Sequence, residues 1–272
     1  MQILECKIRI FFISNFAFFI FHFSFCIIFF LPLPSLAEKS PILPFNEGEE
    51  LIYEIKWLGI PVGTGKLHIK ERGVKDNREV FHIIYSAESN EFISRLYKVE
   101  DMAETFLDVE GSFPWSFKLK IREGKSNRDV ETIFDQINHK ATFIKDQDAP
   151  MVFTIPSATQ DAFSALYYLR TKNLRVGDKV VIDVFEDKKN WQVEVNVLKK
   201  EKIKIYSGEV DTILVKPLLK FEGIFQRKGD LYIWLTDDEK KIPVQVKTSI
   251  IIGSIQSKII SINGVGATSS TR

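Results

Sequence analysis

The sequence predicts a mainly β fold: an antiparallel curved sheet or barrel-like meander with one central α-helix packed on it. Three observations predict it. Apolar residues recur with period two over many short segments, clusters of Gly, Asn, Asp, Ser and Pro separate those segments, and one stretch alone carries apolar residues at helical spacing.

The elements follow in order. Residues 38–44, with Pro41 and Pro44, read as an extended tether, and the fold begins near Phe45. Leu51, Tyr53, Ile55 and Trp57 share one face of a first strand, while Glu54 and Lys56 point the other way. The alternation returns at Leu67 and Ile69, at Phe81, Ile83, Tyr85 and Ala87, and at Trp115, Phe117, Leu119 and Ile121 against Lys118, Lys120 and Arg122. Turn clusters at 59–65, 73–77, 111–114, 124–127 and 135–139 divide them. The helix is expected from about Gln160 to Lys172, opened by Ser157 or Thr159 as N-cap and ended by Asn173 and Gly177. Seven further strands are expected between Lys179 and Ile262, with hairpin tips at 187–190 and 237–240. The chain from 45 to 263 reads as a single domain, and residues 264–272 as a frayed polar tail.

Ahead of the tether lies a leader. Lys7 and Arg9 precede an apolar run from Ile10 to Leu33, followed by Ser35-Leu36-Ala37, the pattern of a secretory signal over residues 1–37. The run approaches the length that spans a bilayer, so retention as an anchor in the inner membrane is the alternative to cleavage after Ala37. In either case the body is expected outside the cytoplasm, in the periplasm or exported. Both cysteines, Cys6 and Cys26, fall in the leader. The body therefore has no thiol nucleophile, thiolate metal site or disulfide. With Glu5, Lys7 and Arg9 set aside, acidic and basic residues balance, which removes the electrostatic footprint of a nucleic-acid binder.

Catalytic grammar is sparse. The stretch Gly59-Ile-Pro-Val-Gly63-Thr-Gly65-Lys66 invites a phosphate-loop reading, but Leu67 stands where Ser or Thr is required and a strand follows in place of a helix. A hairpin loop is the better reading. His68, His82 and His139 show no ligand spacing, no G-x-S-x-G elbow is present, and the acidic pairs lack the order of a calcium loop. No metal or other cofactor is implied. What remains is aromatic: Trp57, Trp115, Phe117, Tyr168, Trp191 and Trp234, with Arg170 on the helix, are the candidate ligand-binding residues of a concave sheet closed by the helix. Packing in the core is the competing reading for the aromatics. Arg170, if it turns inward, must meet a carboxylate, because a buried unpaired charge is very costly.

Three blocks carry a resemblance. Asp161-Ala-Phe-Ser164-Ala-Leu-Tyr-Tyr-Leu-Arg170 followed by Leu174-Arg-Val-Gly177, the segment from Phe45 to Gly65, and the segment from Ile233 to Gly253 together resemble domain of unknown function 3108, a family of exported bacterial proteins. The resemblance implies an envelope location and a mainly β fold, and brings no catalytic residues with it. A weaker similarity links the last hairpin, Trp234 to Ile262, to periplasmic lipoprotein-carrier folds. The expectation is thus a non-enzymatic envelope protein that binds an apolar or amphipathic ligand, such as a lipid, or an envelope protein partner. Its membrane contact would be limited to an uncleaved leader. A structural or assembly role, or a hydrolase acting on an envelope polymer through acidic residues, are the alternatives.

Overall fold

The computed structural model describes residues 42–218, 230–250 and 252–265, all within one compact unit, Pro41–Arg272. The leader, most of the tether and tail residues 266–272 lie outside the described residues. The strands are β1 (Glu50–Trp57), β2 (Ile60–Lys75), β3 (Arg78–Ser89), β4 (Glu100–Asp108), β5 (Pro114–Glu123), β6 (Ser126–Asp135), β7 (Lys140–Lys145) and β8 (Met151–Thr154). After a break they continue as β9 (Lys179–Glu186), β10 (Lys189–Ile205), β11 (Gly208–Pro217), β12 (Leu231–Thr236), β13 (Pro243–Ser249) and β14 (Ser254–Asn263). Among the described residues two helices interrupt them, α1 (Glu91–Ser94) between β3 and β4, and α2 (Ser164–Arg170) between β8 and β9.

All the strands form one 14-stranded antiparallel sheet, ordered β8-β7-β6-β5-β4-β3-β2-β1-β14-β13-β12-β11-β10-β9. Each half is a meander, and β1 joins β14 to fuse them. Because every neighbour is antiparallel, alternate connections fall at the same end of the sheet. The β1–β2, β3–β4, β5–β6 and β13–β14 connections share one end, here called the rim. The start of β1 and the β2–β3, β4–β5 and β12–β13 connections share the other, here called the floor.

Tight turns set this register. Leu58 and Gly59 (φ 51° and 84°), Asp76 and Asn77 (50° and 62°), and Asp187 and Lys188 (45° and 69°) are paired left-handed residues, which match the twist of two-residue hairpins. The expected loop over 59–65 thus contracts to Leu58-Gly59. Gly63 and Gly65 lie inside β2, and Gly63 lets the β3 backbone approach so closely that a Cβ there would stand 2.2 Å from the Glu88 carbonyl oxygen.

The sheet is curved but not closed by a ladder. Its edges, β8 and β9, meet through side chains: the Phe185 ring lies 5.5 Å from Phe153 and 6.4 Å from Phe143, and Asn190 Nδ2 donates to the Thr154 carbonyl at 2.7 Å. The chain between them turns inward, and Gln160 pairs with β9, donating to the Asp183 carbonyl and accepting from the Phe185 amide. That extended pairing explains why the helix begins at Ser164 and not near Gln160. Its first turn is held by Asp161, whose Oδ1 accepts from the Phe163 and Ser164 amides at 2.8 and 2.9 Å, while Ser164 Oγ accepts from the Asp161 amide at 2.8 Å. This reciprocal box replaces the expected Ser157 or Thr159 cap. The concave side is filled by three apolar clusters, centred on Tyr53, Phe81 and Tyr167, on Leu169, Val195 and Leu235, and on Phe117, Phe143 and Phe185.

Candidate functional site

At the floor, α2 turns Arg170 into the protein, fully buried, beside an equally buried Glu49. The pair is bidentate: Nη1 donates to Glu49 Oε1 at 2.6 Å and Nη2 to Oε2 at 2.8 Å. Nε donates to the Lys240 carbonyl at 3.1 Å and Nη2 to the Pro44 carbonyl at 3.3 Å, and the guanidinium lies over the Phe45 and Tyr167 rings. Burial acts to drive the proton off Arg170, but the adjacent Glu49 carboxylate outweighs it and holds the guanidinium above its ordinary range. Arg170 therefore ties the entering chain, α2 and the β12–β13 turn together, with each nitrogen of its head already bonded within the protein.

The floor is polar elsewhere and largely satisfied: of its buried polar atoms, Gln136 Oε1, Gln160 Oε1 and Tyr167 Oη are left without a hydrogen-bond partner. Asp108 accepts from Arg78 Nε, Trp115 Nε1 and the Glu110 and Gly111 amides. Gln136 and Gln160 side chains donate to the carbonyls of Pro114, Thr159, Ser112 and Ala158. Under it, the Asp161 carboxyl also accepts from Thr105 Oγ1. Burial raises this carboxyl to about 6 against the pull of those donors.

The seven candidate residues do not converge on one site. Phe117 is buried in the third cluster, 6.1 Å from the Phe163 ring. Tyr168 and Trp191 flank the second cluster, the former beneath Lys172 Nζ at 3.7 Å and the latter donating to the Glu186 carbonyl at 3.2 Å. Trp234 faces away from its buried neighbours Ile233 and Leu235 and donates to Glu201 Oε1 at 2.8 Å. Trp115 belongs to the Asp108 knot on the floor, and Arg170 to the Glu49 pair. Trp57 does not continue the buried face of Leu51 and Tyr53: as the last residue of β1 it stands exposed at the rim, where Nε1 donates to the Ile252 carbonyl at 2.9 Å.

The concave side is occupied by the three apolar clusters. A cavity at the β8–β9 seam, between Phe117, Arg128, Phe143, Phe185 and Asp187, has a volume of about 20 Å³, room for a single water. At the ends of β4 and β5, Asp101 and Glu123 form a carboxyl pair. Burial raises the Asp101 carboxyl first, and the neighbouring charge of Glu123 and their shared hydrogen bond add to it. Asp101 Oδ1 also accepts from the Arg122 amide at 2.8 Å, so the pair joins the ends of β4 and β5.

The rim is the unsatisfied region. Leu96, Phe92, Ile252, Ile60 and Leu58 are exposed to 79, 70, 66, 62 and 56%, with Tyr97 at 50% and Trp57 at 40%. They sit on three connections that adjoin along the sheet order β14-β1-β2-β3. The Leu58 amide donates to the Ser254 carbonyl, and the Leu58 side chain packs where Gly253 lacks a Cβ. Asn90 caps α1, accepting from the Ile93 amide at 2.9 Å, and donates through its backbone to Val62 and its side chain to Pro61. Other exposed apolar residues, such as Val74, Ile137 and Val176, stand on separate segments. Among the seven candidates the sequence singled out only Trp57 of this group. The missed signal was apolar residues within turn-like stretches, Leu58 and Ile60 beside Gly59 and Phe92, Leu96 and Tyr97 between β3 and β4, where polar residues are the rule.

Among the described residues no helix is long and apolar enough to cross a membrane, and no three His, Cys, Asp or Glu side chains gather as a metal site. The fold is similar to that of a β-barrel-like protein of domain of unknown function 1849 from Brucella abortus, with a TM-score of 0.52 at 10% identity over 83% of this chain and 99% of that one. Two further solved structures align more loosely. The hypothetical protein CT021 of Chlamydia trachomatis aligns with a TM-score of 0.37 at 6% identity over 82% of this chain and 90% of that one. A Bacteroides fragilis protein with a YmcC-like fold aligns with a TM-score of 0.32 at 13% identity over 82% and 99%. No curated protein matches the chain. The model of the family of proteins of unknown function DUF3108 matches residues 52–260, most of the chain, and the protein belongs to that family.

Proposed function

We propose that this is an exported envelope protein that works by binding and not by catalysis, and that it engages an amphipathic ligand or an envelope partner at the rim of the sheet. The observation that carries the reading is the contrast between a filled concave side and seven large apolar or aromatic side chains left exposed on adjoining connections. Covering a Leu, Ile or Phe side chain is worth about 1.5–3 kcal/mol, so a surface of this kind marks an interaction site. Export rests on the leader pattern of residues 1–37.

The Asp101–Glu123 pair is the one observation that favours hydrolysis. Two carboxyls that share a hydrogen bond leave no room for the sugar ring and water that glycoside hydrolysis places between them. The pair is better read as a clasp between two strand ends.

Site-directed photocross-linking in the native envelope tests the reading. A photoreactive residue at position 92 is expected to give discrete products, and one at position 133, on the outer wall of β6, none. Equal labelling from both positions would reject the rim as the binding site.

A further inference from the structure

We infer that the occupant of the rim is a lipid surface, into which the tips of the β1–β2, β3–β4 and β13–β14 connections insert without crossing it. This inference rests on the rim being the binding site and names what it binds. Three features select lipid over a folded partner.

The first is shape. The apolar side chains stand on three separate connections, so a complementary protein would need a surface matched to each, whereas acyl chains deform around them. The second is their grading by chemistry. The aliphatic and phenyl groups of Leu96, Phe92, Ile252 and Ile60 are the most exposed, while the amphipathic rings of Trp57 and Tyr97 are less so, each with a polar atom engaged: Trp57 Nε1 with the Ile252 carbonyl, and Tyr97 Oη, at 3.4 Å, with Glu123 Oε2. That combination suits a membrane interface, where indole and phenol rings lie at headgroup level and aliphatic groups beneath.

The third is charge. Each ionic group on these segments is neutralised in place: Lys56 with Glu54 at 2.8 Å, Arg95 with Glu91 at 2.7 Å, and Lys98 with Glu100 at 2.7 Å. These three connections thus present a neutral apolar face, which suits the interior of a bilayer more than a charged partner. Lipid contact stops at the rim, because the outward faces of β4, β5 and β6 carry Glu104, Lys118, Lys120, Asp129 and Glu131. This contact is additional to any made by the leader.

The test is flotation of the purified body, residues 38–272, with phosphatidylcholine vesicles, and with the same vesicles containing phosphatidylglycerol. Binding to both is expected, changing less than about threefold between about 0.1 and about 1 M salt. Ile60→Glu, Phe92→Glu and Leu96→Glu, all at exposed positions, are each expected to weaken it about tenfold or more, while Ile133→Glu on the wall leaves it unchanged. Binding confined to anionic vesicles and lost in salt would overturn insertion of a neutral face. No vesicle binding, together with a concentration-dependent dimer that the same three substitutions dissociate, would make the occupant a second copy and leave the rim as the binding site. Neither vesicle binding nor any rim-dependent association would overturn both.

Discussion

The two ends of this sheet treat exposed chemistry in opposite ways. On the floor, groups that are costly to bury, the Arg170 guanidinium and the Glu49 and Asp161 carboxylates, are buried and supplied with partners. On the rim, groups that are costly to expose, Leu58, Ile60, Phe92, Leu96 and Ile252, are exposed and uncovered. The first pattern pairs these charged groups within the chain and is the signature of architecture. The second is incomplete within the chain, and points outward to whatever completes it. The difference also explains why the floor's ionic groups, although of catalytic type, read as structural.

Removing one partner of the floor pair should have the largest effect. Glu49→Ala leaves Arg170 buried without its carboxylate and is expected to cost about 3–5 kcal/mol of stability by urea unfolding. Replacing both residues by Met should recover much of the loss. A cost below about 1 kcal/mol for the single change would mean that the floor is not the rigid end.

The Asp161 site sharpens the comparison through pH. Its folded-state carboxyl is raised to about 6, so between that value and the ordinary one near 4 the folded protein keeps a proton that the unfolded chain has lost. Stability from this group is therefore fully present below about pH 4 and is lost as pH rises through about 6. Asp161→Asn has no such dependence. Relative to the unsubstituted protein, the variant should gain about 2–3 kcal/mol on going from about pH 4.5 to about pH 7.5, measured by denaturant midpoints. An unchanged difference would place the carboxylate in a more solvated setting than the structure gives it.

Smaller still is Gly63→Ala. Its Cβ would meet the Glu88 carbonyl oxygen, and the β2–β3 ladder must shift at a cost of about 1–3 kcal/mol, readable as a lowered thermal midpoint. The rim substitutions come last. Phe92→Glu and Leu96→Glu should alter stability by less than about 0.5 kcal/mol while removing binding. A large loss of stability would mean that these side chains are packed in the protein and are not a docking surface.

Much of the fold was legible because period-two alternation and turn residues act locally. The strand built on Phe117, Leu119 and Ile121 and the hairpin tip at Asp187-Lys188 stand where the sequence places them. The start of α2 was not legible, since Gln160 is held extended by a strand far from any local signal. Arg170 was read conditionally, and the structure supplies the condition: Glu49, a partner remote in sequence that helical spacing alone could not name. The rim escaped notice for the converse reason. Its residues look like strand ends or turns taken one at a time, and only the neighbouring of β14, β1, β2 and β3 in the sheet brings Ile252, Trp57, Ile60 and Phe92 to one place.

The central claim is that the protein binds at the rim while its concave side stays filled. The four tryptophans of the chain, Trp57, Trp115, Trp191 and Trp234, report on this directly, because they stand at different places in the sheet. In a titration with a short-chain phosphatidylcholine followed by nuclear magnetic resonance, the indole N–H signal of Trp57 should move, while those of Trp115 and Trp234 and the ring signals of Phe117 and Phe185 hold still. A stationary Trp57 with moving Phe117 and Phe185 signals would contradict it and place the ligand inside the sheet.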